Sequence, residues 1–160
     1  MKEILREVGM IARCFESISN IEFKEFHLAK GQYLYLVRIC ENPGIIQERV
    51  ADMLKVDRTT ASRSIKNLVS DGLIEKQSDP DNKKILKLYP TEEGERIYQF
   101  LKREEEYSNS VALQGFSEAE LEVALNLLHR IRTNIETDWE LVKKGGKRGF
   151  CGIMIEEGLL

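Results

Sequence analysis

At 160 residues and 18.5 kDa the chain has the length of one ordinary domain. Its 42% hydrophobic and 32% charged residues, with only three prolines, exclude a fibrous or disordered polypeptide. No run approaches the ~18 apolar residues of a membrane span, and the net charge is -3.

The opening Met1-Lys2-Glu3-Ile4-Leu5-Arg6-Glu7 reads as the start of an amphipathic helix and not as a signal peptide, which places the protein in the cytoplasm. Ile4, Val8, Ile11, Phe15 and Ile18 recur at steps of four and three, marking one apolar helical face over the first twenty residues. A second helix is predicted from Ala29 to Cys40, stopped by Asn42-Pro43-Gly44. A short third helix follows from Ile46 to Leu54, with Ile46, Val50 and Leu54 on one side. Asp57 is a good N-cap for a fourth helix, whose apolar face is Ala61, Ile65 and Leu68 and whose stop is Gly72.

Beyond Gly72 the period changes. Leu73-Ile74-Glu75-Lys76-Gln77 and Ile85-Leu86-Lys87-Leu88-Tyr89 read as strands around Ser78-Asp79-Pro80-Asp81-Asn82, which has hairpin-loop chemistry. Thr91 caps a long fifth helix. Ser117-Glu118-Ala119-Glu120 is a capping box, and Phe116 with Leu121 forms its hydrophobic staple, so a sixth helix starts there and carries Leu121, Ala124, Leu128, Ile131 and Ile135.

On the fourth helix Thr59, Ser62, Arg63 and Lys66 fall opposite the apolar face. A helix that reads DNA needs this division, because its inner side locks onto a neighbouring helix while its outer side enters the major groove. Arg58, Thr59 and Thr60 lie in the first turn, where base edges are reached, and Arg63 and Lys66 can reach bases or phosphates. Lys83 and Lys84 sit near the tip of the hairpin. Residues 55–87 hold eight Lys or Arg against five Asp or Glu, a local +3 that leaves -6 for the rest of the chain. Helix, tight turn, longer helix and basic hairpin in that order describe a winged helix-turn-helix: a mainly α fold with a small β-hairpin wing.

The chain resembles the MarR family of transcriptional regulators at these same residues. The resemblance runs through Gln47-Glu48-x-Val50-Ala51-x-x-Leu54-x-Val56-Asp57-Arg58-Thr59-Thr60-Ala61-Ser62-Arg63, then Leu68-x-x-x-Gly72-Leu73-Ile74 and the wing Asp79-Pro80-x-Asn82-Lys83-Lys84 leading to Thr91-x-x-Gly94. Lysines stand where family wings often carry arginine, and Pro90 replaces the usual leucine before Thr91. The resemblance implies a homodimer bound to a pseudo-palindrome in double-stranded DNA, usually as a repressor. It divides the chain into dimerisation helices at 1–28 and 95–145, a DNA-binding lobe at 29–94 and a C-terminal extension at 146–160.

It also implies a small aromatic or anionic effector seated between the lobe and the dimer helices, for which Phe15, Phe23, Phe26, Tyr33 and Tyr35 are candidate walls, although each ring alone is more simply core. One branch of the family senses hydroperoxides through a cysteine on its first helix. Cys14 takes that place here, but Lys30 stands where the branch has a tyrosine partner, and a buried inert thiol is the plainer expectation. A winged helix can also serve purely as a protein-interaction module.

Enzyme chemistry and cofactors are not expected. Lys144-Gly145-Gly146-Lys147 lacks the phosphate-loop spacing, and no nucleophile-base set stands out. His27 and His129 with Cys14, Cys40 and Cys151 make no metal motif, and three scattered cysteines make no disulfide framework. Lys143 to Arg148 reads as a basic extension, and the apolar Phe150-Cys151-Gly152-Ile153-Met154-Ile155 as a packed tail.

Overall fold

The computed structural model describes residues 3–149; the apolar tail expected at Phe150 to Ile155 lies outside the described residues. The chain forms two compact units, Met1–Tyr107 and Ser108–Leu160. In the first, helix α1 (Glu3–Glu22) leads through a short 3-10 turn (Phe23–Phe26) to α2 (Gln32–Glu41), strand β1 (Ile45–Ile46), α3 (Gln47–Leu54), α4 (Arg58–Ser70), β2 (Ile74–Ser78) and β3 (Leu86–Pro90). Helix α5 (Glu92–Ala112) runs from the first unit into the second, which holds α6 (Glu118–Lys143). The winged helix-turn-helix expectation is met.

Three details differ from the sequence reading. The second helix begins at Gln32 rather than Ala29, because the Gln32 side chain accepts the Ala29 N–H at 2.8 Å and holds residues 29–31 in a turn before the helix. Ile46 belongs to a two-residue strand and not to the third helix, since Ile45 and Ile46 pair antiparallel with Leu88 and Lys87. The wing is therefore the outer part of a three-stranded sheet in the order β1-β3-β2, with Ile74 to Ser78 registered against Pro90 to Leu86. Periodicity gives no warning of β1, because its pairing partner lies more than forty residues away.

Pro90 costs the sheet little. It is the last residue of β3, and β1 pairs only as far as Leu88, so no ladder bond is asked of it on that edge.

The core explains why these elements assemble. Leu36 and Ile39 from α2, Val50 and Ala51 from α3, Ala61, Ile65 and Leu68 from α4, Ile74 from β2 and Leu88 from β3 are buried together, with Ile97 and Leu101 of α5. The predicted apolar face of α4 is thus satisfied inside the first unit, as is that of α3 through Val50 and Leu54. The apolar face of α1 is not: Ile4, Val8, Ile11 and Ile18 are exposed. In the second unit Leu125, Leu128 and Ile135 of α6 are exposed as well.

At the start of α6, Ser117 and Glu120 form the predicted box, Glu120 Oε2 accepting the Ser117 N–H at 2.9 Å and the Ser117 hydroxyl accepting the Glu120 N–H at 3.4 Å. The other end stops at Gly145-Gly146, where left-handed Gly145 (φ 82°) turns the chain and the Gly146 N–H reaches the Leu141 carbonyl at 2.9 Å. Beyond this turn Arg148 Nε donates to Asp138 Oδ2 at 2.6 Å, while before it, within α6, Lys143 Nζ lies 5.8 Å from the Trp139 ring centre. The basic segment is therefore partly folded back on its own helix.

Candidate nucleic-acid interface

Helix α4 is built from both ends. At its start Asp57, in extended backbone, accepts the Thr60 N–H at 2.8 Å through Oδ1 and the Thr60 hydroxyl at 2.6 Å through Oδ2. The turn before it is forced by Lys55, a non-glycine residue at φ 54°, whose neighbour Val56 donates to the Ala51 carbonyl at 3.0 Å and so closes α3. At the far end Gly72 (φ 71°) donates to the Val69 carbonyl and Leu73 to the Leu68 carbonyl, at 3.1 and 2.9 Å, the bond pair of a Schellman stop. Both predicted boundaries are chemical ones.

Between these ends the helix divides as expected. Ala61, Ile65 and Leu68 are fully buried, whereas Arg58, Thr59, Thr60, Ser62, Arg63 and Lys66 are exposed. Thr60 has a local task, since its hydroxyl proton is committed to Asp57 and only its oxygen lone pairs face outward.

The hydrogen bonds from Thr60, side chain first and amide second, hold the Asp57 carboxyl below the usual carboxylate range. The sign follows from linkage. A depressed folded value gives a contribution present above the unfolded value of about 3.9 and lost as pH falls through the folded one. Acid titration followed at the Thr60 amide by NMR is therefore expected to show the first turn of α4 loosening below about pH 3.9, with Asp57→Asn, itself a good cap, removing that transition. A Thr60 resonance that titrates alike in both proteins refutes the assignment.

The wing is organised by Asp79. Its Oδ1 accepts the Asp81 and Asn82 amides at 2.9 and 3.1 Å, and its Oδ2 meets Lys87 Nζ at 2.6 Å. The Lys87 ammonium, followed by the Asp81 amide, lowers the Asp79 carboxyl, and Asp79 in turn raises Lys87. Asn82 Oδ1 accepts the Lys84 N–H at 3.1 Å, which completes a loop that presents Lys83 and Lys84 to solvent. Lys87 is thus a structural cation. Its pairing removes one charge of each sign from residues 55–87, seven against four, so the local surplus of +3 stands.

The exposed polar helix and lysine-tipped wing have close counterparts in known proteins. The MarR family profile matches residues 28–86. The chain is 62% identical over 150 residues to the HTH-type transcriptional regulator YybA of Bacillus subtilis (strain 168), covering 94% of this chain and 100% of the relative. It also matches, at TM-score 0.88 and 59% identity, a MarR family transcriptional regulator from Listeria monocytogenes solved in complex with a 26mer DNA, over 93% of this chain and 99% of that one. The chain belongs to the MarR family. MarR proteins are non-enzymatic, DNA-binding regulators of transcription, and this chain carries their fold.

Other residues singled out by sequence fall into separate places. Phe23 and Tyr35 are buried in the core, and Phe26 and Tyr33 pack against it. Phe23 meets Tyr33 edge-on at 5.0 Å, and both Phe23 and Phe26 approach Phe100 of α5, at 6.3 and 4.8 Å. Phe100 is the ring the sequence reading missed, because it lies on a helix marked mainly by its charges. A shallow depression beside it is lined by Ile21, Glu22, Lys24, Glu25 and Phe100. Phe15 stands apart, half-buried on α1.

Cys14 is exposed in the single chain, contrary to the expected buried thiol, since the face of α1 that carries it is uncovered. Cys40 is the buried one, and burial, with Glu95 and Glu41 nearby, pushes its thiol up to about 12. It is a core residue and a poor nucleophile at neutral pH.

No helix among the described residues is long and apolar enough to cross a membrane. Among the described residues no three His, Cys, Asp or Glu side chains are grouped to hold a metal.

Proposed function

We propose that the protein is a homodimeric repressor that binds a pseudo-palindromic operator in the cytoplasm and is released by a small-molecule effector. The observation that carries this reading is the division of α4: three fully buried apolar side chains on one side, with Arg58, Thr59, Ser62, Arg63 and Lys66 exposed on the other. In this reading Arg58, Thr59 and Thr60 meet base edges and phosphates at the helix start, Ser62, Arg63 and Lys66 continue along the groove, and Lys83 and Lys84 touch the backbone or the adjacent minor groove.

The exposed apolar residues of α1 and α6 support the dimer. Water-facing stripes of Ile4, Val8, Ile11 and Ile18, and of Leu125, Leu128 and Ile135, are faces that a second copy would cover. Two-fold symmetry then sets half-sites about one helical turn, or about 10 base pairs, apart. For the effector, Phe100 and Ile21 supply the apolar part of the depression, with Phe26 packed against Phe100, and Lys24 there is outnumbered by Glu22 and Glu25, which suits an aromatic group better than an anion. Release requires an effector that favours one spacing of the recognition helices over the other.

Selection of bound duplexes from a random pool tests the reading directly. Two-fold-related motifs are expected, and Arg63→Ala should weaken binding to the selected operator by about 1–3 kcal/mol with fold and dimer unchanged. Equal binding by the variant would remove Arg63 from the base contacts, and the absence of any recovered motif would favour a winged helix that contacts only protein.

A further inference from the structure

One buried polar side chain plays no part in the DNA contacts just described. Gln32, the first residue of α2, is 3% exposed, and Ser19 is the other buried polar residue among those described. A primary amide in that position needs partners at both ends. Its Oε1 accepts the Ala29 N–H at 2.8 Å, and its Nε2 donates to Asp71 Oδ2 in a long bond of 3.5 Å. Asp71 is the C-cap of α4, where its own N–H donates to the Asn67 carbonyl at 2.8 Å.

The turn that Gln32 grips is also tied backwards. Lys30 Nζ lies 3.1 Å from Glu16 Oε1 on α1, and left-handed residues flank the turn, His27 at φ 57° and Gly31 at φ 70°. A continuous series of contacts therefore leads from the middle of α1, through residues 27–31 and Gln32, to the end of the helix that faces DNA. The two left-handed residues are natural pivots, and the Gln32 amide is the direct hydrogen-bonded tie across to α4.

We infer that Gln32 is a positioning residue that carries the placement of α1 to the C-cap of α4, and thereby sets how the recognition helix is presented to an operator. The inference rests on the reading of α4 as the DNA-reading helix. Spatial continuity alone does not establish coupling; energetic coupling between the two side chains does.

Reversal of polarity across the bond supplies the test. In Gln32→Glu the carboxylate still accepts the Ala29 N–H but faces the Asp71 carboxylate with no proton to donate. Adding Asp71→Asn restores a donor, now pointing the other way. Asp71→Asn alone keeps an acceptor for Gln32.

Affinities of the 160-residue chain would be measured for the operator selected from the random pool and for a scrambled duplex of equal length. Gln32→Glu is expected to weaken operator binding about tenfold, with scrambled-duplex binding held within about twofold, and the double variant to recover to within about threefold of the parent. The charge removed by Asp71→Asn acts on both duplexes alike, so the ratio of the two affinities isolates positioning from electrostatics.

Parent-like operator binding by Gln32→Glu overturns the inference, as does an equal effect of Asp71→Asn in both backgrounds. Should Gln32→Glu prove unfolded by circular dichroism, the exposed site decides: Asp71→Ala must lower the operator-to-scrambled ratio and Asp71→Asn must not, equal ratios overturning the proposal. If the parent chain selects no operator, the reading of α4 fails and takes this inference with it. An additive cycle on a selected operator removes the coupling alone.

Discussion

Replacing Gly94 by alanine is expected to cost about 3 kcal/mol of stability, because a Cβ there has nowhere to go. Built on the existing backbone, it would overlap the Leu73 carbonyl oxygen and stand 3.0 Å from its carbon. The obstacle is main chain, so no side-chain rotation relieves it.

The close approach is held by Thr91. The Thr91 hydroxyl donates to the Gly72 carbonyl at 2.7 Å, its N–H donates to the Leu73 carbonyl at 3.1 Å, and its Oγ1 accepts the Gly94 N–H at 3.1 Å as the cap of α5. Separating α5 from residues 72–73 breaks this set and displaces the junction between α4 and β2.

Gly72 provides the contrast. It sits at φ 71° with nothing within 4 Å of a built Cβ, so alanine there meets only the left-handed backbone penalty of about 1–2 kcal/mol. Thermal melts should show a drop of about 6–12 °C for Gly94→Ala, larger than that for Gly72→Ala. The reverse order would mean that conformation, and not space, governs this corner.

The comparison of these glycines shows which kinds of information the sequence carries. Gly72 was legible as a helix stop from its position after an apolar period, because its role is local. Gly94 could be seen only as part of a family pattern, Thr91-x-x-Gly94, since the backbone it touches lies 21 positions earlier.

The same distinction runs through the interface. The exposed arc of α4 and the capping box at Ser117 follow from spacings of three and four residues, and both were readable. Strand β1, the Asp79–Lys87 pair and the Gln32–Asp71 bond join positions that no short period relates. Thr60 is an intermediate case: the N-cap was evident at Asp57, but the capture of the Thr60 hydroxyl required a side-chain rotamer.

Operator affinity should fall about 10³- to 10⁵-fold between about 50 and 200 mM salt, and the steepness carries more information than the affinity. Each chain exposes Arg58, Arg63, Lys66, Lys83 and Lys84 on α4 and the wing, while Lys87 is held by Asp79. A dimer with two such sets can make about 6–10 phosphate contacts, and the logarithmic slope with salt is about 0.9 per phosphate neutralised.

The wing lysines separate the stoichiometries. Removing Lys83 and Lys84 together should reduce the slope by about four for a dimer holding both half-sites, and by about two for one chain on one half-site. Arg63→Ala, if that side chain grips a base edge, should instead lower affinity for the operator more than for a scrambled duplex. Binding that barely responds to salt would contradict the electrostatic contribution of helix and wing alike. A steep slope untouched by the double lysine substitution would leave α4 in place and remove the wing from the interface.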